Sequence, residues 1–427
     1  MNLLRSLIWL LVCILLSGCR QNKMDITDNI AVIEVEQHLG KYQTIPVSEI
    51  MYELEYIPLE ANDDCLIGEY IYHVIVTEKY IFVSGTDYCY AFNRNGRFIG
   101  KIGSVGQGPG EYFNITGLST DEKKRSLYLE TYRSILEYSF EGDFRQSINK
   151  PLNGAEESIT RIHYVHDNLF IGHNANRRSN DMYNFCLFND SGQFVKFFDN
   201  HGKFEWTTYG LSFKTNQHIY VKAATNDTLY YLNEKDELIP QFVFNLGKHA
   251  YPDYLKKEGA PSTPFNSLKD VVLIPHPNRS YPLIGTPDHI FFSIEAFRQN
   301  TKIPLPKGIA RTINLPDGQS AEVEVTLPLG IYDITNKTTR LLDTNPISRK
   351  LGLINDLDGG LSFWPKYSTS DNELVGIWQA YEMKEILTEE YFAAHEIKNP
   401  QAHQKLKELL KKLEWDDNPV VVIGKIK

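Results

Sequence analysis

Short runs of β-branched and aromatic residues recur along the chain and set its organisation. Six of these runs share a four-residue pattern, and they begin at Tyr80, Ser126, Asn168, His218, His289 and Glu373. Runs of this composition fit a pleated, half-buried strand. The first four begin 46, 42 and 50 residues apart, and strand repeats of about 40–50 residues are typical of β-propeller blades. The pattern therefore predicts an all-β fold, a six-bladed β-propeller, whose last two intervals lengthen to 71 and 84 residues.

Each of the first four runs continues into a second strand, a polar turn and a third strand. Gly96, Gly142 and Gly192 stand at the turn position, where a tight hairpin needs a positive φ angle. Asp236 takes the same place in the fourth copy. Matched turns after matched strands favour true blades over a chance recurrence of strand composition.

The fifth interval carries an unusual density of proline. Eleven of the chain's 20 prolines fall between Pro252 and Pro328, and a continuous strand ladder does not tolerate that density. We therefore interpret residues 250–330 as an excursion from blade five that lies over one face of the ring. Residues 310–315 and 321–327 within it predict a hairpin around the turn at 316–319. The excursion is either a functional loop or a structural flap over a blade edge.

The C-terminus changes to a helical pattern and then back to a strand. Residues 385–416 form the predicted helical segment, in which Asn399 caps a helix that has Pro400 in its first turn. Leu406, Leu409 and Leu413 share one face of that helix. The apolar run in residues 419–427 predicts a closing strand beside the strand at 51–59, because pairing the two ends of the chain removes the open edges of the ring.

The first residues have the composition of a secretion signal. Arg5 precedes an apolar run too short to span a bilayer, which ends in Leu16-Ser17-Gly18-Cys19. That string resembles a bacterial lipobox. The resemblance implies a lipoprotein signal peptide at 1–18, lipidation of Cys19, a polar tether at 19–28 and a propeller at 29–427. The alternative is an ordinary signal peptide in which the cysteine is incidental.

Composition narrows the remaining classes of function. The net charge of −10 and the lack of a basic patch argue against nucleic-acid binding. After Cys13 and Cys19, three cysteines remain, which allows at most one intramolecular disulfide. Cys89 and Cys186 fall in strand runs, where a small buried hydrophobe is the commoner role.

Several local motifs resemble those of a known family. Residues 57–60, 66–68, 97–103 and 106–112, together with 355–360 and 363–365, resemble the six-bladed β-propeller lipoproteins of Gram-negative bacteria, which are NHL-like in architecture. The resemblance covers nearly the whole mature chain. It implies the fold and a location in the cell envelope, lipid-anchored in the outer membrane on its periplasmic or surface side. It implies no defined activity.

Two motifs could be mistaken for ligand loops. The first comprises Gly106, Gly108, Pro109, Gly110, Glu111 and Tyr112. It lacks the Lys-Ser/Thr of a phosphate-binding loop, so we interpret it as the connection between blades one and two. Asp356 and Asp358 alternate as in calcium loops, which leaves two readings, a structural calcium ion or a turn capped by the carboxylates. No other cofactor is predicted.

Candidate ligand contacts are His73, His163, Trp206 and Trp364. The sequence contains no Gly-x-Ser-x-Gly elbow and no histidine–carboxylate pair at catalytic spacing, which favours a protein that is not an enzyme. We expect a monomeric, membrane-anchored binding or scaffold propeller that holds a peptide, a glycan or an envelope protein. The alternative is a metal-dependent hydrolase or lyase with its site in the central channel, where His73 and His163 are the main candidate ligands.

Overall fold

A computed structural model of the 427-residue chain describes residues 30–68, 70–151, 159–174, 183–199, 211–215, 218–223, 226–250, 272–275, 282–297, 309–314, 320–325, 328–348 and 350–427. The predicted signal peptide, Cys19 and the tether lie outside these residues. Among the described residues, no helix combines the length and the apolar character that crossing a bilayer requires.

Two strands precede the first blade, β1 (Ala31–Glu34) and β2 (Met51–Pro58). Blades one to four are antiparallel sheets that follow one another along the chain. Blade one contains β3 (His73–Val76), β4 (Tyr80–Ser84), β5 (Cys89–Asn93) and β6 (Phe98–Lys101). A parallel pair, β7 (Ser104–Val105) and β8 (Glu111–Tyr112), leads to blade two, which contains β9 (Gly117–Asp121), β10 (Ser126–Glu130), β11 (Ser134–Ser139) and β12 (Phe144–Asn149). Blade three contains β13 (Ile159–Tyr164), β14 (Leu169–Asn174), β15 (Tyr183–Asn189) and β16 (Phe194–Asp199), and blade four contains β17 (Leu211–Thr215), β18 (His218–Lys222), β19 (Thr228–Leu232) and β20 (Leu238–Asn245).

Blades five and six are interrupted by extra elements. Blade five contains β21 (Val272–Pro275), β22 (Ile284–Gly285), β23 (His289–Phe297), β26 (Leu329–Asp333) and β27 (Thr338–Leu341), and a separate hairpin of β24 (Ile309–Asn314) and β25 (Ser320–Val325) lies between β23 and β26 in the chain. Blade six contains β28 (Tyr367–Ser368), β29 (Glu373–Trp378) and β30 (Val420–Ile426), with α1 (Ala380–Ile386), α2 (Glu389–Ala393) and α3 (Pro400–Lys412) between its last two strands. The hairpin predicted inside the blade-five excursion is therefore present.

The six repeated runs are the second strands of the six blades, as the repeat predicts. The innermost strands contact one another in the cyclic order β28, β3, β9, β13, β17, β22 and back to β28. This closed order confirms the six-bladed β-propeller. The predicted turn residues have the expected conformation, with φ of +81° at Gly96 and +56° at Asp236.

The ring is closed by strands from both ends of the chain. In blade six, β30 pairs with β29 on one side and with β2 on the other, and Val420 stands opposite both Trp378 and Pro58. The prediction that the C-terminal run joins the strand at 51–59 is confirmed. Asn399 caps α3 through a side-chain oxygen that accepts from the Ala402 N–H at 3.0 Å, also as predicted.

The N-terminal segment forms a belt that the sequence did not predict. Strand β1 adds to blade four as a fifth strand, parallel to β20. Gln43 then bridges to Leu342 beside blade five, and Pro46 bridges to Ile354 before β2 reaches blade six. Three consecutive blades are thus joined by one stretch of chain.

The apolar core is divided into clusters that lie between neighbouring blades. Phe82 of blade one packs with Leu127 of blade two, and Tyr220 of blade four packs with Tyr332 of blade five. Cys89 and Cys186 are buried, unbridged members of such clusters, as predicted. Each strand face is therefore covered by the next blade, which explains the nearly continuous apolar runs in the sequence.

Candidate functional site

The two ends of the ring differ in what they carry. We call the end at which the innermost strands begin the front end, and the opposite end the back end. Because successive strands of a blade are antiparallel, the turns between second and third strands also lie at the front end. The hairpin β24–β25 and the helices α1–α3 both interrupt such a turn. The departures from the regular repeat are therefore concentrated at the front end.

Buried polar side chains stand at the front ends of the second strands in five of the six blades. We call this set the polar ring, and it consists of Ser84, Glu130, His173, Lys222 and Ser293. In each blade the side chain two residues earlier packs against the next blade, as Phe82, Tyr128, Ile171, Tyr220 and Phe291 do. Since side chains alternate along a strand, each member of the ring points towards the next blade as well. In blade six the position is held by Ile377.

Glu130 is the best-satisfied member of the polar ring. One carboxylate oxygen is 2.8 Å from the Lys150 ammonium group, and the other accepts the Ile162 N–H of blade three at 3.0 Å. Gly117 stands opposite Glu130 in the strand pair, and a Cβ at this position would clash with the carboxylate. The glycine thus leaves the space that the carboxylate occupies, and the hydrogen bond from Ile162 joins blades two and three.

Burial shifts the titration of two further members. The pKa of His173 falls to about 3, because burial disfavours the imidazolium and Arg161 adds a repulsive charge. The pKa of Lys222 falls to about 8 through burial, although Asp227 favours the ammonium form. Its Nζ donates to the Ala223 carbonyl at 3.1 Å. The Ser84 hydroxyl is buried and has no hydrogen-bond partner among the described residues. The polar ring is therefore a set of buried groups at the front end of the ring, and their burial costs free energy.

Exposed aromatic and aliphatic side chains lie on the front end of blades one and two. We call them the aromatic rim, which consists of Leu66, Tyr70, Val105, Phe113 and Tyr132. Tyr70, Phe113 and Tyr132 are each 68% exposed. Leu66 and Tyr70 precede β3, Val105 and Phe113 lie between β6 and β9, and Tyr132 lies in the turn after β10. All three segments are front-end connections.

Hydrogen bonds join the segments that carry the aromatic rim. The Tyr88 hydroxyl donates to the Tyr70 carbonyl at 3.4 Å. Two residues earlier in the same turn, the Thr86 carbonyl accepts from Ile115 N–H at 2.7 Å, and Thr116 N–H donates to the Glu130 carbonyl at 2.7 Å. The segments that carry the rim are therefore linked by hydrogen bonds to neighbouring front-end segments and to Glu130 of the polar ring.

The glycine-rich connection supports these segments. Gly110 has φ of +76°, and its carbonyl accepts a hydrogen bond from the Tyr138 hydroxyl. Glu111 accepts from the Gly108 N–H at 2.7 Å, and a Cβ at Gly106 would clash with the same carboxylate. Tyr112 is buried and donates its hydroxyl to the Ile102 carbonyl at 3.2 Å. Pro109 completes the turn between these residues.

The two predicted metal candidates, Asp356 and Asp358, are both buried and both accept hydrogen bonds from the chain. Asp356 lies 2.7 Å from the Lys398 ammonium group and accepts from the Ser48 N–H at 2.9 Å. Burial raises its pKa, but these partners outweigh burial and the pKa is lowered. Burial raises the pKa of Asp358, whose Oδ1 accepts from the Asn355 amide at 2.7 Å and the Tyr56 hydroxyl at 3.0 Å. Within the described residues, no group of three His, Cys, Asp or Glu side chains could hold a metal ion.

The four predicted ligand contacts are not brought together. His73 begins β3 at the front end, whereas His163 lies near the back end of β13. The Trp364 ring is buried in a core cluster with its centre 5.6 Å from that of Phe291. Its Nε1 has no partner among the described residues. Trp206 lies outside the described residues.

Sequence reasoning missed the polar ring, although a signal was present. In blades one, two, four and five the member of the ring is the residue directly after the four-residue run, namely Ser84, Glu130, Lys222 and Ser293. A polar residue that regularly follows an apolar run marks a repeated position. In blade three strand β14 begins at Leu169, one residue after the start of the run, so the ring position is His173.

Comparison with known proteins identifies the fold of the chain and does not identify an activity. The profile described as "Domain of unknown function (DUF4934)" matches residues 30–425. No curated protein matches the chain. A solved protein described as exported, from Bacteroides fragilis NCTC 9343, has 16% sequence identity and a TM-score of 0.62, and the match covers 93% of this chain and 99% of that one.

Two further solved structures are more distant. A member of the DUF4221 family from Bacteroides vulgatus has 9% identity and a TM-score of 0.47, over 88% of this chain and 97% of that one. Virginiamycin B lyase from Staphylococcus aureus has 11% identity and a TM-score of 0.37, over 70% of this chain and 90% of that one. These likenesses concern the course of the backbone.

Proposed function

The chain belongs to the DUF4934 family, whose function is unknown, and we propose that it is a lipid-anchored binding propeller of the cell envelope. In this proposal the front end holds a peptide, a glycan or an envelope protein. The aromatic rim makes the apolar contacts, and the rigid ring beneath keeps the rim in place. The chain acts as a monomer and performs no chemistry on its ligand.

The observation that carries the proposal is the exposure of the aromatic rim. Three aromatic side chains that are each 68% exposed come from three separate connections at one end of the ring. Exposed apolar side chains gathered at one end of a domain indicate a binding surface, and aromatic residues supply large contact areas at little cost in side-chain entropy. The hydrogen bonds beneath the rim reduce the loss of conformational entropy on binding.

The envelope location rests on the N-terminal sequence. Acylation of Cys19 would anchor the chain stably, because each buried methylene group contributes about 0.8 kcal/mol and several acyl chains act together. The solved Bacteroides protein of the same fold is described as exported, which supports a place in the envelope or outside the cell. Mass spectrometry of the purified full chain tests the anchor, since an acylated Cys19 must be its first residue.

A metal-dependent hydrolase or lyase in the channel is the alternative function. The shifted pKa values of His173 and Lys222 favour considering it, because such shifts are frequent at catalytic sites, although both side chains point between blades and not into the channel. Elemental analysis of the purified full chain tests it. A stoichiometric transition metal would overturn the proposal of a binding module.

Binding is tested with the full chain in lipid nanodiscs, screened against a glycan array, a peptide library and purified envelope proteins. The triple variant Tyr70→Ser, Phe113→Ser, Tyr132→Ser should bind any ligand found at least tenfold more weakly. The control triple Tyr52→Ser, Val195→Ser, Phe197→Ser removes exposed apolar side chains from the outermost strands of blades six and three and should bind as the wild type does. Equal affinity of the rim variant and the wild type would refute the proposal.

A further inference from the structure

A cavity of about 470 Å³ opens at the back end between blades three and four. Apolar side chains of both blades line it, namely Val165, Ile219 and Leu232. These residues belong to the edge of the cluster that fills the space between the two blades. We call this space the back cavity, and its volume is suited to a small molecule with a short apolar part.

Positively charged and titratable side chains surround the apolar wall. Lys214, His218, Lys235 and His166 line the back cavity, against the single carboxylate of Glu234. His166 is held at 3.1 Å from Asp236 and at 3.5 Å from Asp167. The lining itself therefore carries two ammonium groups and one carboxylate, in a chain with a net charge of −10.

Lys214 is the group best placed to receive an anion. It lies on the innermost strand β17, opposite Ile219 in the register, on the face that meets blade three. Burial lowers its pKa, while Glu122 and Asp121 oppose the shift and Lys123 adds to it. Among the described residues its ammonium group makes no hydrogen bond within 3.5 Å and no ion pair within 4.0 Å. A half-buried cation without such a partner gains from a bound carboxylate.

We propose that the back cavity binds a small carboxylate with a short apolar chain. The carboxylate pairs with Lys214 and Lys235, and the apolar chain lies along Val165, Ile219 and Leu232. This site is separate from the aromatic rim, and it assigns a second ligand class to the opposite end of the ring.

Isothermal titration of the full chain in nanodiscs tests the site with hexanoate, 1-hexanol and inorganic phosphate as probes. Hexanoate should bind at one site, and hexanol and phosphate should bind at least tenfold more weakly. Lys214→Met should weaken hexanoate binding at least tenfold, because methionine keeps the apolar stem and removes the charge. Lys235→Met, which changes an exposed side chain, should weaken it severalfold even if Lys214→Met does not fold.

Two controls separate this site from the proposed function. Lys412→Met removes an exposed cation of α3, and the rim triple variant alters the other end of the ring; both should bind hexanoate as the wild type does. The proposal is wrong if hexanoate does not bind or if hexanol binds equally well. It is also wrong if phosphate binds as tightly as hexanoate, or if neither Lys214→Met nor Lys235→Met changes the affinity.

Discussion

The buried pair of Glu130 and Lys150 offers the sharpest test of the polar ring. Both side chains are almost inaccessible, with 2% and 4% exposure, and their charged atoms are 2.8 Å apart. Removing one partner of such a pair leaves an uncompensated buried charge, which costs about 3–5 kcal/mol. We therefore expect Lys150→Met and Glu130→Gln each to lower the free energy of unfolding by this amount.

The double variant separates pairing from the loss of each group. A glutamine at position 130 still offers an oxygen to the Ile162 N–H, and a methionine at position 150 fills the space of the lysine stem. Because the double variant lacks both charges of this pair, it should lower the free energy of unfolding by only about 0–2 kcal/mol. The coupling energy between the two sites should then be about 4 kcal/mol or more, whereas independent sites would add.

Urea unfolding of the four proteins, followed by tryptophan fluorescence, gives the required free energies. The exposed pair of Arg125 and Glu141, with 45% and 46% exposure, serves as the control and should couple by less than about 1 kcal/mol. Single variants at positions 130 and 150 that cost under about 1 kcal/mol and add independently would refute the reasoning. That result would mean that water reaches the polar ring and screens its charges.

Three further predictions concern titration and turns. Lys222→Met should stabilise the protein by up to about 3 kcal/mol at pH 7, because the wild type then buries an ammonium group whose pKa is about 8 instead of 10.5. The wild type should recover this stability as the pH rises from 8 to 10, and a variant gain that is the same at pH 7 and pH 9.5 in urea unfolding would contradict it. His173 has a pKa of about 3 in the folded protein, so between pH 7 and pH 5 only the unfolded chain takes up its proton, and the wild type should lose about 2 kcal/mol of stability. His173→Gln should lose less stability over this range. Equal losses of the two proteins in thermal unfolding would count against the assignment. Gly96→Ala should lower the free energy of unfolding by about 2 kcal/mol or more, since Gly96 has φ of +81° and a Cβ would clash with the Pro58 carbonyl. Gly100→Ala places its Cβ in open space and should lower it less in the same assay.

Local pattern was enough to predict the blades. The strands that begin at Tyr80, Ser126 and His218 are apolar over several residues, and the turns at Gly96 and Gly142 follow at fixed spacing. Closure by the C-terminal strand was also predictable, because a ring with two unpaired ends must join them. These features depend on residues that are close in sequence or on the closure of the whole fold.

The belt and the polar ring depend on long-range register. Strand β1 has four residues, and nothing local in Ala31–Glu34 indicates that it pairs with Phe242–Asn245 in parallel. His173 joins the ring because β14 begins at Leu169, one residue after the start of the run, and pairs with β15 in the same register as in blade one. A shift of one residue moves a side chain to the other face of a strand, so that the four-residue run alone placed Gly172 at this position.

The aromatic rim could not be predicted from the sequence, for a different reason. Tyr112 and Phe113 are adjacent, yet the first is buried and the second is 68% exposed. Aromatic residues in an all-β chain are expected in the core, and the sequence does not distinguish those that turn outwards. Trp364 is the converse case, because the residue predicted as a ligand contact lies in a core cluster.

The central claim is that the front end of the ring binds the ligand through the aromatic rim. Hydrogen–deuterium exchange of the full chain, with and without the ligand from the binding screen, tests it most directly. The account predicts that the ligand slows exchange in residues 66–70, 104–113 and 131–133 and leaves the back-end turns at 94–97 and 234–237 unchanged. Slower exchange at the back-end turns, with no change in the three rim segments, would contradict it.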